Sequence, residues 1–300
     1  SDPPDREQAS GPEAPAASEH ARSSPCIVSA IQGTPTVGGE EARPGHPLVA
    51  TLRVPQGAEV TVDCGHGLRM TVSGGSLMGP TGLSSYGFAL VVGLVHVTMA
   101  PMGDAMGEPV RLAGGPGTLR MRQGELWMAV GGDGGVLGWW ARGGGTVETR
   151  VEGPPLVVVA GQRVSATARG PWRVRAASPS PTEMAKAVQS VAASPSGKKA
   201  VRRRSGSEDT DAARGNAAAA LKALREEEHR GKGMAAKQRI APDSETKAKL
   251  QQALVLHAQT LERRRRDLLL AAEGLALVTT ASGKDDPDPL LVQISSVFTP

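Results

Sequence analysis

The stretch Gly117-Thr-Leu-Arg-Met-Arg-Gln-Gly-Glu-Leu-Trp-Met-Ala-Val130 decides the fold. After Gly124, Leu126, Met128 and Val130 fall on one side of an extended chain and Glu125, Trp127 and Ala129 on the other. The same unit, a glycine followed by period-two alternation, begins at Gly57, Gly67, Gly93, Gly117 and Gly145. A glycine before each run supplies a tight turn at positive φ, where a Cβ would obstruct. With no helical pattern between the copies from Pro25 to about Arg175, they predict a mainly β domain of short strands, built as a roll, sandwich or solenoid. Their irregular spacing argues against a strict repeat protein.

Composition agrees with this reading. The 38 Gly and 23 Pro make about a fifth of the 300 residues, which excludes an all-helical chain. Four Trp, two Phe and one Tyr leave burial to Val, Leu, Ala and Met, so the core is aliphatic. The formal charge of +4 is too small to imply a nucleic-acid partner. Its distribution is uneven: residues 1–24 carry −3, residues 25–176 carry +2 and residues 177–300 carry +5, with every Lys at or after Lys186. That shift puts a boundary near residue 177.

Five segments follow. Residues 1–24, without Leu, Ile, Val or an aromatic, are expected to be a disordered leader. Residues 25–176 are the β domain. Residues 177–210 form a Pro-rich basic linker, in which Lys198, Lys199, Arg202, Arg203 and Arg204 form the candidate basic site. Residues 211–281 read as two helices, the second with Asp243 or Ser244 as N-cap and an end near Leu277. Leu254, Leu261, Leu268 and Leu275 recur every seven residues and define a seam. The companion positions include His257 and Arg264, so an antiparallel hairpin is expected over a parallel zipper. Arg263 to Arg266 point around the helix axis and make no single patch. The tail, residues 282–300, has an acidic turn and a strand-like run from Leu290 to Ile294, expected to dock on the β domain.

No recognisable catalytic motif occurs, and no cofactor or metal is expected: the Gly-rich runs lack a following helix or Lys, and the histidines are scattered. Zinc through Cys64, His66, Cys26 and His46 fails because the paired two-residue spacing of structural zinc sites is missing. Cys26 and Cys64 pair in one way only, and in an exported protein they would form a disulfide. Trp139 and Trp140, adjacent in a strand, face opposite ways, so one is expected on the surface as a partner-binding residue. The sequence opens on Ser1-Asp-Pro-Pro4, with the expectation that a signal peptide or lipoprotein leader has been removed.

Three further segments carry a family resemblance. Leu52-Arg-Val-Pro-Gln-Gly57-Ala-Glu-Val-Thr-Val62 resembles the Leu-x-x-x-x-Gly-x-x-Val-x-Leu opening of FecR-type domains. Leu90-Val-Val-Gly93-Leu-Val-His-Val97 is similar to the family's central hairpin, and Leu156-Val-Val-Val-Ala-Gly161-Gln-Arg-Val164 to its closing motif. The resemblance implies a periplasmic or cell-surface β domain, which in the best-known members senses an outer-membrane transducer and relays its state to a sigma factor. The cytoplasmic segment and membrane helix of known FecR regulators are not in the sequence, and Gly145-Thr-Val-Glu148 lacks the aromatic of the family's Gly-Thr-x-Phe. The expectation is therefore an interaction or signalling role, with sigma-factor regulation left open.

Together these readings predict a non-enzymatic interaction and signalling protein of a Gram-negative envelope, periplasmic or lipid-anchored, in which the FecR-like β domain binds a partner protein and the helical region serves assembly. Its partner is an envelope protein or a second copy of itself, and it meets a membrane only through a removed leader or an anchor. The alternative is a cytosolic nucleic-acid-binding or regulatory protein using the basic linker and the helices.

Overall fold

The repeating units do not end where the next glycine begins. The computed structural model describes residues 26–101, 108–150, 154–168, 170–177, 207–282 and 288–298, with isolated positions 182, 186 and 190. In it, Gly93, Gly124 and Gly145 lie inside long strands: β7 (Gly87–Met99), β9 (Gly117–Val130) and β10 (Val136–Thr149). Gly93 at φ 109° and Gly124 at φ 111° are paired within their ladders, each two residues past a bulge: the extra residue is Val91 on β7, against β6, and Arg122 on β9, against β10. Before Gly124 the inward side chains of β9 are Leu119 and Met121; after it they are Leu126, Met128 and Val130. The extra residue Arg122 switches the face, so odd positions point inward before it and even positions after it. β7 switches at Val91 in the same way, from Phe88 and Leu90 to Val95, Val97 and Met99. A Cβ at Gly124 would run into the carbonyl of Arg142 on the neighbouring strand, so this position requires glycine. At Gly57 and Gly67, by contrast, the glycine makes the expected turn before β5 (Glu59–Asp63) and β6 (Leu68–Pro80).

The remaining strands are β1 (Ile27–Gln32), β2 (Thr36–Val37), β3 (Glu40–Glu41), β4 (Leu52–Val54), β8 (Val110–Gly114), β11 (Leu156–Val159), β12 (Gln162–Ala166) and β13 (Arg173–Ala176). All thirteen belong to one sheet ordered β13-β12-β10-β9-β8-β7-β6-β4-β2-β3, with β5 linking β6 to β1, β11 on β10, and β9 also on β7. The described pairings are antiparallel except β7 with β8. Residues from β1 through β12 share one buried cluster, so the sheet coils around a single core of Val, Leu and Met that also takes Phe88 and Trp140. The disulfide Cys26–Cys64 lies in that core and joins the start of β1 to the turn after β5.

The helices are α1 (Ser207–Arg239), α2 (Ser244–Ser282) and α3 (Pro289–Phe298). α1 starts four residues before the expected Asp211 and α2 runs five past Leu277. Asp243 caps α2 by accepting hydrogen bonds from the Thr246 backbone N–H at 2.7 Å and its hydroxyl at 2.9 Å. These bonds, the backbone one first, hold its carboxyl below the usual value. α1 and α2 run antiparallel: Gln238 bonds Gln251 and Glu227 bonds His257, while Ala217, Leu221 and Leu224 pack with Leu268, Ala272 and Leu275.

The tail corrects the expectation of a strand. Asp288 accepts the Leu290 N–H at 2.9 Å and Pro289 takes the first helical position, so residues 289–298 start as a capped helix. Its buried Leu291 and Ile294 pack on the hairpin with Leu83, which reaches over from the β6–β7 turn. Leu290, Leu291, Ile294, Val297 and Phe298 keep helical spacing, which a run read only from Leu290 to Ile294 does not reveal. The leader and the basic residues Lys198 to Arg204 lie outside the described residues.

Candidate functional site

The outer face of the sheet is where the two halves of the chain meet. On either side of their inward neighbours, Arg111 (β8), Thr118 and Arg120 (β9) and Glu148 (β10) point outward. Register places Arg111 opposite Arg120 and Thr118 opposite Glu148, so the four side chains form one square. The last turns of α2 lie over it. Leu277 and Ala281 pack on Leu77, Ala89, Val91 and Ala113, and Glu273 descends into the square.

Glu273 is 1% exposed and accepts three hydrogen bonds: from Arg111 Nε at 2.6 Å, Arg111 Nη2 at 3.2 Å and Thr118 Oγ1 at 2.5 Å. Arg111 also donates from Nη2 to Glu148 at 2.7 Å, and Arg120 approaches the other Glu148 oxygen at 3.4 Å. Two cations thus face two carboxylates, and each buried oxygen has a donor, the condition under which burying charge is tolerated. Burial works against the Arg111 charge, but the Glu273 and Glu148 carboxylates outweigh it and hold the guanidinium above its ordinary value. Arg150 adds bonds from the strand edge to the carbonyls of Gly115 and Leu270. The arrangement is a clamp: it fixes the base of the hairpin to the sheet and aims the rest of it away.

A second polar–aromatic cluster lies elsewhere on the outer face. His96 stacks on Trp127 with ring centroids 3.9 Å apart and donates from Nε2 to Glu125 at 3.0 Å; Arg142 donates to the other oxygen at 2.8 Å. Burial lowers the His96 pKa despite the opposing pull of Glu125. The Glu125 carboxyl is also lowered, the His96 and Arg142 hydrogen bonds overcoming its desolvation.

The sequence-predicted residues fall as follows. Cys26 and Cys64 are paired. Trp139 and Trp140 do face opposite ways, but neither is exposed: Trp140 is fully buried in the main core, and Trp139, at 6%, packs with Leu94, Ala129 and Leu137 on the outer face. The expected surface tryptophan is therefore absent, because the outer face of β10 is itself covered at that point. Along the seam, Leu268 and Leu275 are buried between the helices while Leu254 and Leu261 are half-buried. His257 at the companion position is satisfied by Glu227, at 2.8 Å, and Arg264 turns outward to Asp267. The clamp residues went unread in the sequence. One signal was there: Glu273 is the single charge in the run from Leu268 to Ser282, where an unpaired carboxylate would be costly.

No family model matches this chain, and no curated protein does. Two crystal structures from Parabacteroides distasonis, at 2.50 Å and 1.65 Å resolution, each provisionally named an anti-sigma factor, are similar to it at 15% and 12% identity with TM-scores of 0.36. The likeness covers 42% of this chain and 59% of theirs, so it spans less than two thirds of the neighbours' length.

Proposed function

We propose that this chain is a non-enzymatic interaction protein of the bacterial envelope, in which a FecR-like β domain is the scaffold and the helical hairpin the contact arm for a partner protein. The observation that carries the reading is the clamp. A bidentate, buried Arg111–Glu273 contact with Thr118 and Glu148 around it fixes the direction in which the hairpin leaves the sheet. Such a rigid base suits a device that transmits position, and a helix merely covering apolar surface has no need of it.

Two further observations support the family and the compartment. The key glycine of each resembling motif sits at positive φ: Gly57 at 78°, Gly93 at 109° and Gly161 at 78°. Each therefore does a backbone task that other residues perform poorly, as a motif glycine should. The Cys26–Cys64 disulfide suits an oxidising compartment.

The test is intact mass after alkylation, with and without reductant, on protein from fractionated native cells, followed by photo-crosslinking from the arm. An oxidised pair in the envelope fraction and a discrete crosslinked protein partner are expected. Two alkylatable thiols in the cytosolic fraction would overturn the envelope reading, and crosslinks confined to the β domain would overturn the role of the arm.

A further inference from the structure

The arm beyond its apolar packing is strongly basic. Residues 222–267 hold twelve Lys and Arg against seven Asp and Glu, a net +5, while the remaining residues sum to −1. Beyond the Glu227–His257 rung the bias sharpens: residues 229–253 hold six cations and two acids. Both acids are engaged locally, Asp243 as the cap of α2 and Glu245 with Lys249. Lys232, Lys237, Arg239 and Lys247 are exposed and have no carboxylate partner among the described residues.

This cationic arm also shows large aliphatic side chains to solvent. Ile240 at the apex is 81% exposed, and Val255 and Leu256 on the outward side of α2 are 52% and 65% exposed. Lys249 and Arg263, one to two turns either side of Leu256, flank them and are exposed too. At about 1.5 Å per residue, the arm from Glu273 to Asp243 is about 45 Å long, and these cations and aliphatics are exposed along it.

Three occupants compete for such a surface. A second copy would bring +5 against +5 over only a few aliphatic contacts, so like charges oppose it. Nucleic acid would neutralise the charge, but α1 and α2 contain no Phe, Tyr or Trp to stack on bases, and exposed Val, Leu and Ile add nothing to phosphate contact. An anionic lipid surface uses both features, with headgroups for the cations and the acyl boundary for the aliphatics. We propose that the hairpin arm binds peripherally to an anionic bilayer through the outward side of α2 and the apex, with Val255, Leu256 and Ile240 entering the headgroup layer. The sequence placed no membrane contact here. The inference goes beyond the proposed function and does not depend on the β domain having a protein partner.

The test is flotation of the full chain with phosphatidylcholine vesicles, with and without one-third phosphatidylglycerol, at low and high salt. Binding is expected only with phosphatidylglycerol, and it should weaken as salt rises. Val255→Glu with Leu256→Glu, and separately Lys249→Glu with Arg263→Glu, should each weaken partitioning about tenfold or more while far-UV circular dichroism and melting stay unchanged. No binding at low salt would overturn the proposal. So would binding that the Val255→Glu/Leu256→Glu variant retains, tighter association with duplex DNA than with vesicles, or a concentration-dependent dimer that this variant abolishes. Failure here leaves disulfide state and protein crosslinking untouched, so the two readings fall separately.

Discussion

Replacing Glu273 by Ala should destabilise the docked hairpin by about 3–5 kcal/mol, the range for removing one partner of a buried ion pair. The structure shows where the cost arises. Three hydrogen bonds disappear, two of them from Arg111 and one from Thr118. The Thr118 hydroxyl, fully buried, loses its acceptor, which alone costs about 1–3 kcal/mol. Arg111, 5% exposed, keeps only Glu148 against its desolvation. A companion variant separates this cost from simple loss of packing. Arg111→Met with Glu273→Leu removes both charges and leaves Glu148 with Arg120, so it should be near neutral or more stable than the single variant by about 2 kcal/mol or more. The assay is urea unfolding followed at the helical circular-dichroism band, with amide exchange of residues 274–281 as a local probe. At about 2–4 °C per kcal/mol for a chain of this size, a 3 kcal/mol loss appears as a fall of about 6–12 °C in melting temperature. A Glu273→Ala cost below about 1 kcal/mol would refute the clamp, as would a double variant no better than the single one.

The other predictions concern the sheet. Cys26→Ser with Cys64→Ser opens a crosslink spanning 38 positions and should cost about 2–4 kcal/mol, and dithiothreitol should lower the wild-type melting temperature but not that of the variant. Gly124→Ala should cost more than about 2 kcal/mol, because φ is 111° and the added Cβ meets the Arg142 carbonyl; Gly215→Ala, in open space on α1, should stabilise by about 0.5–1 kcal/mol in the same denaturant titration. His96 titrates below its ordinary 6.5 in the folded state. The unfolded chain therefore binds more protons just below that pH, and stability present above about 6.5 is lost as pH falls toward the folded value. The Glu125 shift has the same sign at lower pH. Melting curves of His96→Gln should lack the first of these losses, and an imidazole NMR titration that placed the folded pKa above 6.5 would contradict the buried, neutral ring.

Much of this architecture can be read from local spacing, and what escapes reading has a common cause. Alternation after glycine identified the strands because period two is a property of the single chain. It could not tell a turn glycine from a glycine at positive φ inside a strand beside a bulge, since the two differ only in whether a partner strand continues alongside. Gly57 has no such partner and makes a turn; Gly124 is paired with Gly143 across the β9–β10 ladder, two residues past the bulge at Arg122, and stays inside the strand. The six predicted short strands therefore merge where the sheet carries them through. The hairpin was legible for the same reason as the strands, through its caps and heptads. The α3 helix was missed because five residues, Leu290 to Ile294, fit either period.

The clamp shows how far such reading extends. Arg111 sits in Val110-Arg-Leu-Ala-Gly114, which reads as one outward arginine of a half-exposed strand, and Glu148 in its strand looks equally ordinary. Only Glu273 is out of place, a carboxylate between Leu268 and Leu277 on a helix with a buried face. A lone acid in such a run demands a cation and a hydroxyl from elsewhere in the fold, because its desolvation cannot be met by the helix that carries it. Its partners lie 155 and 162 residues away, at a distance no sequence periodicity spans. The demand was visible in the sequence, and the supply only in the sheet register that sets Arg111 and Thr118 on one face. Because the acid is fixed by a face that the β domain alone provides, the arm's direction depends on the sheet's register.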